Sequence, residues 1–184
     1  MQGTHQDKSA RLWIATIATS VLYAAAHPPL AWWPLALLAV APASAVLLDP
    51  RTRIPWPRAA AAGFLFGLVT TWLTVGHWSW LAARLFFGDS TTAAGFTAAL
   101  PLLASGIALH YAIAFALIAR LAGLGAATGV IGSAGLWSAA ELARTSVGYG
   151  NPWGAFSAAL IAADAALSGF RAETPVAGLL AIGG

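Results

Sequence analysis

Two opposite charges stand one helical turn apart near the end of a long apolar stretch. They are Glu141 and Arg144, and Trp137 lies one turn before the carboxylate. Residues at this spacing share a helix face and can form an ion pair. Ionisable groups on an apolar helix are costly and are candidates for function. Two interpretations stay open, since the pair either anchors the helix end by neutralising itself or faces a substrate.

Histidine and cysteine usage argues against a metal site. His27, His77 and His110 are far from one another in the sequence, and none has ligand spacing to a carboxylate. The chain contains no cysteine, which excludes disulfides, thiolate ligands and a thiol nucleophile. Phosphate-binding loops, dinucleotide fingerprints and nucleic-acid motifs are also missing. The sequence therefore predicts no metal, no cofactor and no nucleic-acid partner.

Ser133 is the serine that best resembles a nucleophile, because glycines surround it. The nucleophile elbow needs glycine two residues before and two after the serine, and Ile131 breaks that pattern. An intramembrane hydrolase would require a base on a neighbouring helix, for which His110 is available. A hydrolase that uses Ser133 and His110 therefore stays open as one hypothesis for the activity.

The composition requires a partly apolar solvent. Hydrophobic residues make up 59% of the 184 residues and charged residues only 8%, against about 25% charged in soluble domains. Stretches without Asp, Glu, Lys or Arg cover residues 12–48, 59–83, 90–119 and 121–140. A bilayer core needs about 20 apolar residues per helix. The first stretch is long enough for two short helices and each of the others for one.

These stretches predict an all-α, polytopic transmembrane bundle with about five spanning helices. We expect the helices near residues 11–26, 32–48, 59–81, 91–119 and 125–144. Residues 155–167 are too few to span and predict a re-entrant or interfacial segment. Residues 1–11 are expected to form a loose cytoplasmic tail, and residues 12–184 the transmembrane domain.

Both termini need interpretation. Residues 12–26 resemble a signal peptide, but a second apolar run follows His27-Pro28-Pro29 at once, so we expect the first helix to be retained. The last apolar run, residues 176–184, spans only about 14 Å as a helix, less than half a bilayer core. It predicts a truncated sixth span, and hence a fragment of a longer protein.

Arginine and lysine positions predict the orientation. Six of them fall on the side of the N-terminus, namely Lys8, Arg11, Arg51, Arg53, Arg58 and Arg120. Three fall on the opposite side, namely Arg84, Arg144 and Arg171. Positive charge is enriched in cytoplasmic connections, so the N-terminus is predicted to be cytoplasmic.

Glycines four residues apart occur in two of the predicted helices. Gly63 and Gly67 form one pair, and Gly125 and Gly129 form the other. Small residues at this spacing allow helix backbones to approach closely. The pattern predicts packing within the bundle, with dimerisation as the less favoured use.

Three segments in order resemble the N-terminal membrane region of the apolipoprotein N-acyltransferase family. The first is the run from Ala26-His-Pro-Pro to Trp-Trp-Pro-Leu, and the second is Gly-Phe-Leu-Phe-Gly followed by Trp-Ser-Trp and Phe-Gly. The third is Leu-Trp-Ser-Ala-Ala-Glu-Leu-Ala-Arg leading to Gly-Asn-Pro-Trp153. The resemblance covers about residues 12–184. Asn151 stands where the family loop has phenylalanine, and the tyrosine-bearing segment after that loop reads Ser-Ala-Ala-Leu160.

The resemblance implies an enzyme of the bacterial inner membrane that transfers an acyl chain from phospholipid to the N-terminal cysteine of lipoproteins. Its catalytic glutamate, lysine and cysteine belong to a nitrilase-like domain that follows the helices, so this chain alone is expected to be inactive. The residues expected to face lipid or substrate, or to dock that domain, are Trp137, Glu141, Arg144, Asn151, Pro152 and Trp153. The alternative is a complete small membrane protein with a scaffold or transport role.

Overall fold

A computed structural model of the protein describes residues 3–27, 30, 32, 34–76, 80–81, 83–85 and 88–146. Helices dominate these residues, and none of them lies in a strand. The helices are α1 (Gly3–Ala25), α2 (Pro34–Ala39), α3 (Ala41–Leu48), α4 (Trp56–Thr71), a π-helix (Trp72–Gly76), α5 (Ser90–Leu121) and α6 (Ala126–Ser146). The all-α class predicted from the charge-free stretches is therefore confirmed.

Helices α4 and α5 pack on each other more extensively than any other pair, and glycines explain how. A methyl group at Gly63 would overlap the carbonyl oxygen of Tyr111, and one at Gly67 would lie 2.5 Å from the Cα of Ala108. The two backbones can approach each other this closely because glycine has no side chain. Since residue numbers rise along α4 as they fall along α5, the helices are antiparallel.

The packed interior contrasts with the outer surface of α5. Phe66, Tyr111 and Phe115 are fully or almost fully buried, whereas Leu102 is 77% exposed and Ile113 is 61% exposed. Large apolar side chains that point away from a packed core require an apolar surrounding or a partner. This distribution agrees with helices in lipid.

Two of the described helices are long and apolar enough to cross a membrane. They are Trp56–Gly76 and Ser90–Leu121, and Pro34–Leu48 is a shorter apolar segment. The predicted count of about five spans remains a prediction, because the length and composition of the described helices identify only these two.

The second predicted helix is interrupted, which the sequence reading missed. Residues 34–48 form two helices that meet at Val40, because Pro42 in the first turn of α3 has no backbone N–H to donate. Thr19 of α1 accepts a hydrogen bond from the freed Ala43 N–H at 3.1 Å. A neighbouring helix thus satisfies the backbone at the break, as an apolar environment demands.

The expectation of a loose segment before residue 11 was wrong for the residues that the structure describes, since α1 begins at Gly3. No proline interrupts this stretch, so the helix extends one hydrogen bond at a time beyond the apolar part. Lys8 Nζ also donates to the Arg51 carbonyl at 2.8 Å, which ties the extension to the loop after α3. Its cytoplasmic location remains a prediction.

The third predicted helix begins earlier than expected, at Trp56, and changes to a π-helix at Trp72. Thr70 Oγ1 donates to the Phe66 carbonyl at 2.6 Å and Thr74 Oγ1 to the Thr70 carbonyl at 2.7 Å. Hydroxyls that bond the preceding turn compete with the backbone N–H groups and loosen the helix. The Thr70 contact lies just before the π-helix, and the Thr74 contact reaches back from inside it.

Asp89 begins α5 with a side-chain cap. Its carboxylate accepts the Thr92 backbone N–H at 2.7 Å, which satisfies a donor that the helix leaves free. The hydrogen bonds from Thr92 lower the pKa of this exposed carboxyl below its ordinary 3.8. Pro101 lies inside α5 without ending it.

Candidate functional site

The buried face of α6 carries the residues singled out by type and spacing. Gly129, Ser133, Trp137 and Glu141 follow one another every four residues, and Arg144 continues the same side. Glu141 is 6% exposed and Arg144 is 5% exposed. The structure therefore turns both charges into the bundle, where a charge needs partners to be stable.

Glu141 is held by hydroxyl groups from two other helices. Tyr23 of α1 donates its phenolic O–H to Glu141 Oε1 at 2.9 Å, and Tyr111 of α5 donates to the same oxygen. Hydrogen bonds to a carboxylate are stronger than neutral ones. One carboxylate thus joins α1, α5 and α6 inside the bundle.

Arg144 neutralises the charge of Glu141, but some of its own hydrogen-bond donors have no partner in the described residues. Its Nε lies 3.5 Å from Glu141 Oε2, which makes an ion pair within one turn of α6. Within the part of the chain that the structure describes, its buried Nε and Nη2 have no hydrogen-bond partner. Guanidinium donors bind planar anions in pairs, so this buried group retains capacity for an acceptor.

Aromatic rings pack directly against the tyrosines and form a layer around Phe66. Its ring centroid lies 5.6 Å from Tyr23, 4.8 Å from Tyr111 and 5.2 Å from Trp137, each in an edge-to-face arrangement. Edge-to-face pairs are the favourable geometry for aromatic rings. This layer fixes where the two hydroxyls point.

His27 stacks on Tyr23 from the end of α1. The ring centroids are 4.8 Å apart, and His27 Nδ1 lies 2.7 Å from the Tyr23 carbonyl oxygen. His27 is 2% exposed. Its imidazole therefore supports the ring that holds Glu141, as a buried histidine with a partner.

A second polar junction joins α3 to α6. Ser44 Oγ accepts Trp137 Nε1–H at 3.1 Å and the Ser133 hydroxyl at 3.2 Å. This contact does not suit a nucleophile, because Ser133 donates to another serine. His110 Nδ1 has no hydrogen-bond partner in the described residues, so the structure shows no bond from it that would activate Ser133.

The structure brings Trp137, Glu141 and Arg144 together, as the i,i+3 and i,i+4 spacing indicated. Asn151, Pro152, Trp153 and His77 lie outside the described residues. Gly129 makes an ordinary contact with the Leu48 side chain at 3.4 Å. Gly125 differs from its predicted packing role, because it has a φ of +92° and open space around it, and serves the turn before α6.

Tyr23, Tyr111 and Ser44 are the cluster members that sequence reasoning missed. Two of the three tyrosines in the chain fall inside charge-free stretches, where a hydroxyl has no water to bond. That position was the available signal, because a buried phenol needs an acceptor, although Asp49, Asp89 and Glu141 all adjoin such stretches and the sequence did not choose among them. Among the described residues, no group of three or more His, Cys, Asp or Glu side chains could hold a metal ion.

Comparison with known proteins identifies the family. The chain matches the apolipoprotein N-acyltransferase N-terminal domain over residues 19–172. It is 36% identical over 140 residues to an apolipoprotein N-acyltransferase from Verminephrobacter eiseniae (strain EF01-2), an alignment that covers 75% of this chain and 25% of that relative. No solved structure matches the chain.

The chain spans about a quarter of the length of this curated relative. The resemblance read from the three sequence segments is confirmed, and together with the two long apolar helices it points to a membrane protein. On the match over residues 19–172, the chain belongs to the apolipoprotein N-acyltransferase N-terminal domain family.

Proposed function

We propose that this chain is the membrane-embedded portion of an apolipoprotein N-acyltransferase-like protein. The full-length activity is the transfer of an acyl chain from a phospholipid to the N-terminal cysteine of a lipoprotein. The observation that carries the proposal is the family match over most of the chain. By resemblance, the catalytic cysteine of the family belongs to the domain that follows the helices, and this chain has no cysteine to act as a nucleophile. The helices are therefore proposed to act as a platform and to be inactive alone.

The proposed location is the bacterial inner membrane, with several spans and a cytoplasmic N-terminus. Six lysines and arginines lie on the side of the N-terminus and three on the other side, which supports this orientation.

The Glu141 cluster is proposed to form the part of the platform that meets the substrate or the catalytic domain. Arg144 lies two residues before the end of α6, and its buried Nε and Nη2 lack acceptors in the described residues. Glu141 positions it through the ion pair within one turn of α6. Residues 151–153 follow Arg144 closely in the sequence, so we propose that Asn151, Pro152 and Trp153 contribute to the same surface.

A chimera tests the acyltransferase assignment. The chain replaces the matching N-terminal region of the Verminephrobacter relative, and the chimera is expressed in cells depleted of their own enzyme. We expect N-acylated lipoprotein, detected by mass spectrometry of the lipoprotein N-terminus. A chimera that inserts into the membrane at normal levels without restoring N-acylation would contradict the proposal.

Variants of this chimera test the role of Arg144. Arg144→Gln is expected to reduce N-acylation at unchanged protein level, and Arg144→Lys to retain part of it, because a point charge replaces a two-pronged donor. Equal activity of both variants and the parent would show that the ion pair only anchors α6.

Cysteine labelling tests the orientation, since the chain has no native cysteine. A membrane-impermeant maleimide is applied to spheroplasts that express single variants. Gly88→Cys is expected to react from outside and Arg53→Cys only after the membrane is opened. The reverse pattern would place the N-terminus outside.

A further inference from the structure

One end of the helix bundle is strongly basic. Six cations lie in or beside its connections, namely Lys8, Arg11, Arg51, Arg53, Arg58 and Arg120. The five arginines are exposed. Two carboxylates, Asp7 and Asp49, oppose the six cations, so the formal net charge of this end is +4.

Contacts between the elements show that these residues share one end. Lys8 Nζ donates to the Arg51 carbonyl, which joins α1 to the loop between α3 and α4. The Gly63–Tyr111 contact sets the register of α4 against α5. From that contact, Arg58 lies five residues back along α4 and Arg120 nine residues on along α5, so the two differ in level by about 6 Å, or one helical turn.

The loop between α3 and α4 is held in one shape. Thr52 Oγ1 donates to the Val46 carbonyl at 2.9 Å and to the Asp49 carbonyl at 2.8 Å. Asp49 Oδ1 accepts the Arg51 backbone N–H at 2.9 Å, and Ile54 is buried in the core. The loop therefore presents Arg51 and Arg53 from a fixed backbone.

Arg53 has a φ of +45°, and it is the only described residue other than glycine with a positive φ. This left-handed conformation disfavours a side chain such as arginine, whereas glycine and asparagine adopt it more readily. Strain of this kind persists where surrounding structure enforces it and is concentrated at functional sites. The loop tolerates it while keeping a positive charge at the position.

We propose that Arg51, Arg53 and Arg58 form a binding site for the headgroup of an anionic phospholipid. Trp56, which is 57% exposed, stands between them in the sequence, and an indole ring prefers the headgroup level of a bilayer. Clusters of cations beside the end of a membrane helix attract anionic lipid headgroups. The site lies at the opposite end of α4 from the π-helix and does not depend on the acyltransferase assignment.

Native mass spectrometry of the detergent-solubilised chain tests the site. Phosphatidylglycerol and phosphatidylcholine with identical acyl chains are added separately, and the fraction of lipid-bound protein is compared. We expect preferential binding of phosphatidylglycerol that weakens between 0.05 and 0.5 M ammonium acetate, because salt screens exposed charges. Equal binding of both lipids would overturn the proposal.

Arg53→Asn separates lipid binding from folding. Asparagine suits the left-handed backbone, so the variant should unfold at the same temperature as the parent or higher. Loss of one cation near the surface should weaken phosphatidylglycerol binding about fivefold, and Arg51→Gln combined with Arg53→Asn about 25-fold. Phosphatidylcholine binding should not change.

Two further variants serve as controls. Arg84→Gln removes an exposed cation that stacks on Trp80 at 5.2 Å, in the segment between the π-helix and α5, and should leave the lipid preference unaltered. Arg53→Lys should retain the preference. If Arg84→Gln weakened phosphatidylglycerol binding as much as Arg53→Asn, total charge rather than this site would explain the preference, and the inference would be wrong.

Discussion

Glu141 and Arg51 are both charged residues of a largely apolar chain, but their surroundings differ completely. Glu141 is buried among tyrosine hydroxyls from two helices and an arginine on its own helix. Arg51 is exposed on a loop, where its backbone is held by Lys8 and Asp49. The comparison shows two ways in which an apolar protein keeps charge.

The difference lies in what surrounds each charge. A buried carboxylate loses its water and is tolerated only if protein donors replace that water. An exposed guanidinium keeps its water and remains available to outside anions. Charge at the Glu141 cluster therefore specifies how the helices fit together, whereas charge at the basic end is free for the membrane surface.

Removing the buried carboxylate should have the largest effect. Glu141→Ala leaves Arg144 buried without its counter-charge and two tyrosine hydroxyls without their acceptor, so we expect a loss of about 3 to 5 kcal/mol in the free energy of unfolding. Titration with SDS in mixed micelles measures it. Glu141→Gln, which keeps an acceptor oxygen, should lose less. A change below about 0.5 kcal/mol in the free energy of unfolding of Glu141→Ala would show that the buried charge contributes no more to stability than an exposed one.

Spacing along α6 made part of this cluster predictable. Trp137, Glu141 and Arg144 could be assigned to one helix face because a helix repeats every 3.6 residues. Tyr23 and Tyr111 could not be assigned to Glu141, because 118 and 30 residues separate them from it. No local pattern encodes a contact between helices at such distances.

Helix existence was likewise predictable where apolar stretches were long, and helix interruption was not. The break at Val40 depends on Pro42 together with an acceptor that Thr19 supplies from α1. The π-helix coincides with two threonine hydroxyls that bond the preceding turn. Both need the three-dimensional neighbours or the side-chain rotamers, which the hydropathy of a stretch does not contain.

Close packing between α4 and α5 should be the next most sensitive feature, because it places Tyr111 beside Glu141. In Gly63→Ala the new methyl group overlaps the Tyr111 carbonyl, so we expect a loss of about 1 to 3 kcal/mol in the free energy of unfolding. The matched control is Gly106→Ala on α5, where a methyl meets nothing within 4 Å. That control should be neutral or stabilising by up to about 1 kcal/mol. Equal effects of the two variants would show that the close contact at Gly63 does not stabilise the bundle.

A neutral polar contact in the buried region should matter less than the buried charge. Ser44→Ala leaves the Trp137 N–H and the Ser133 hydroxyl without their acceptor, and we expect a cost of about 1 kcal/mol. The same SDS titration measures it, with Ser44→Thr as the variant that keeps a hydroxyl. A cost as large as that of Glu141→Ala would show that charge is not what distinguishes the cluster.

Asp89 tests the comparison from the exposed side, because it is a charge with both water and a protein donor. Its folded-state pKa is lowered by the Thr92 N–H, so its capping contribution is present above the ordinary pKa of 3.8 and is lost as the pH falls through the lowered value. The Thr92 amide chemical shift in micelles should follow that titration, and in Asp89→Asn it should not change with pH, since the amide oxygen caps without ionising. Global unfolding should barely respond in either protein, because Asp89 is exposed and water can solvate both its protonated carboxyl group and the Thr92 N–H. If the whole bundle lost stability over the pH range in which Asp89 titrates, the exposed and buried charges would be energetically coupled, and the contrast between them would be wrong.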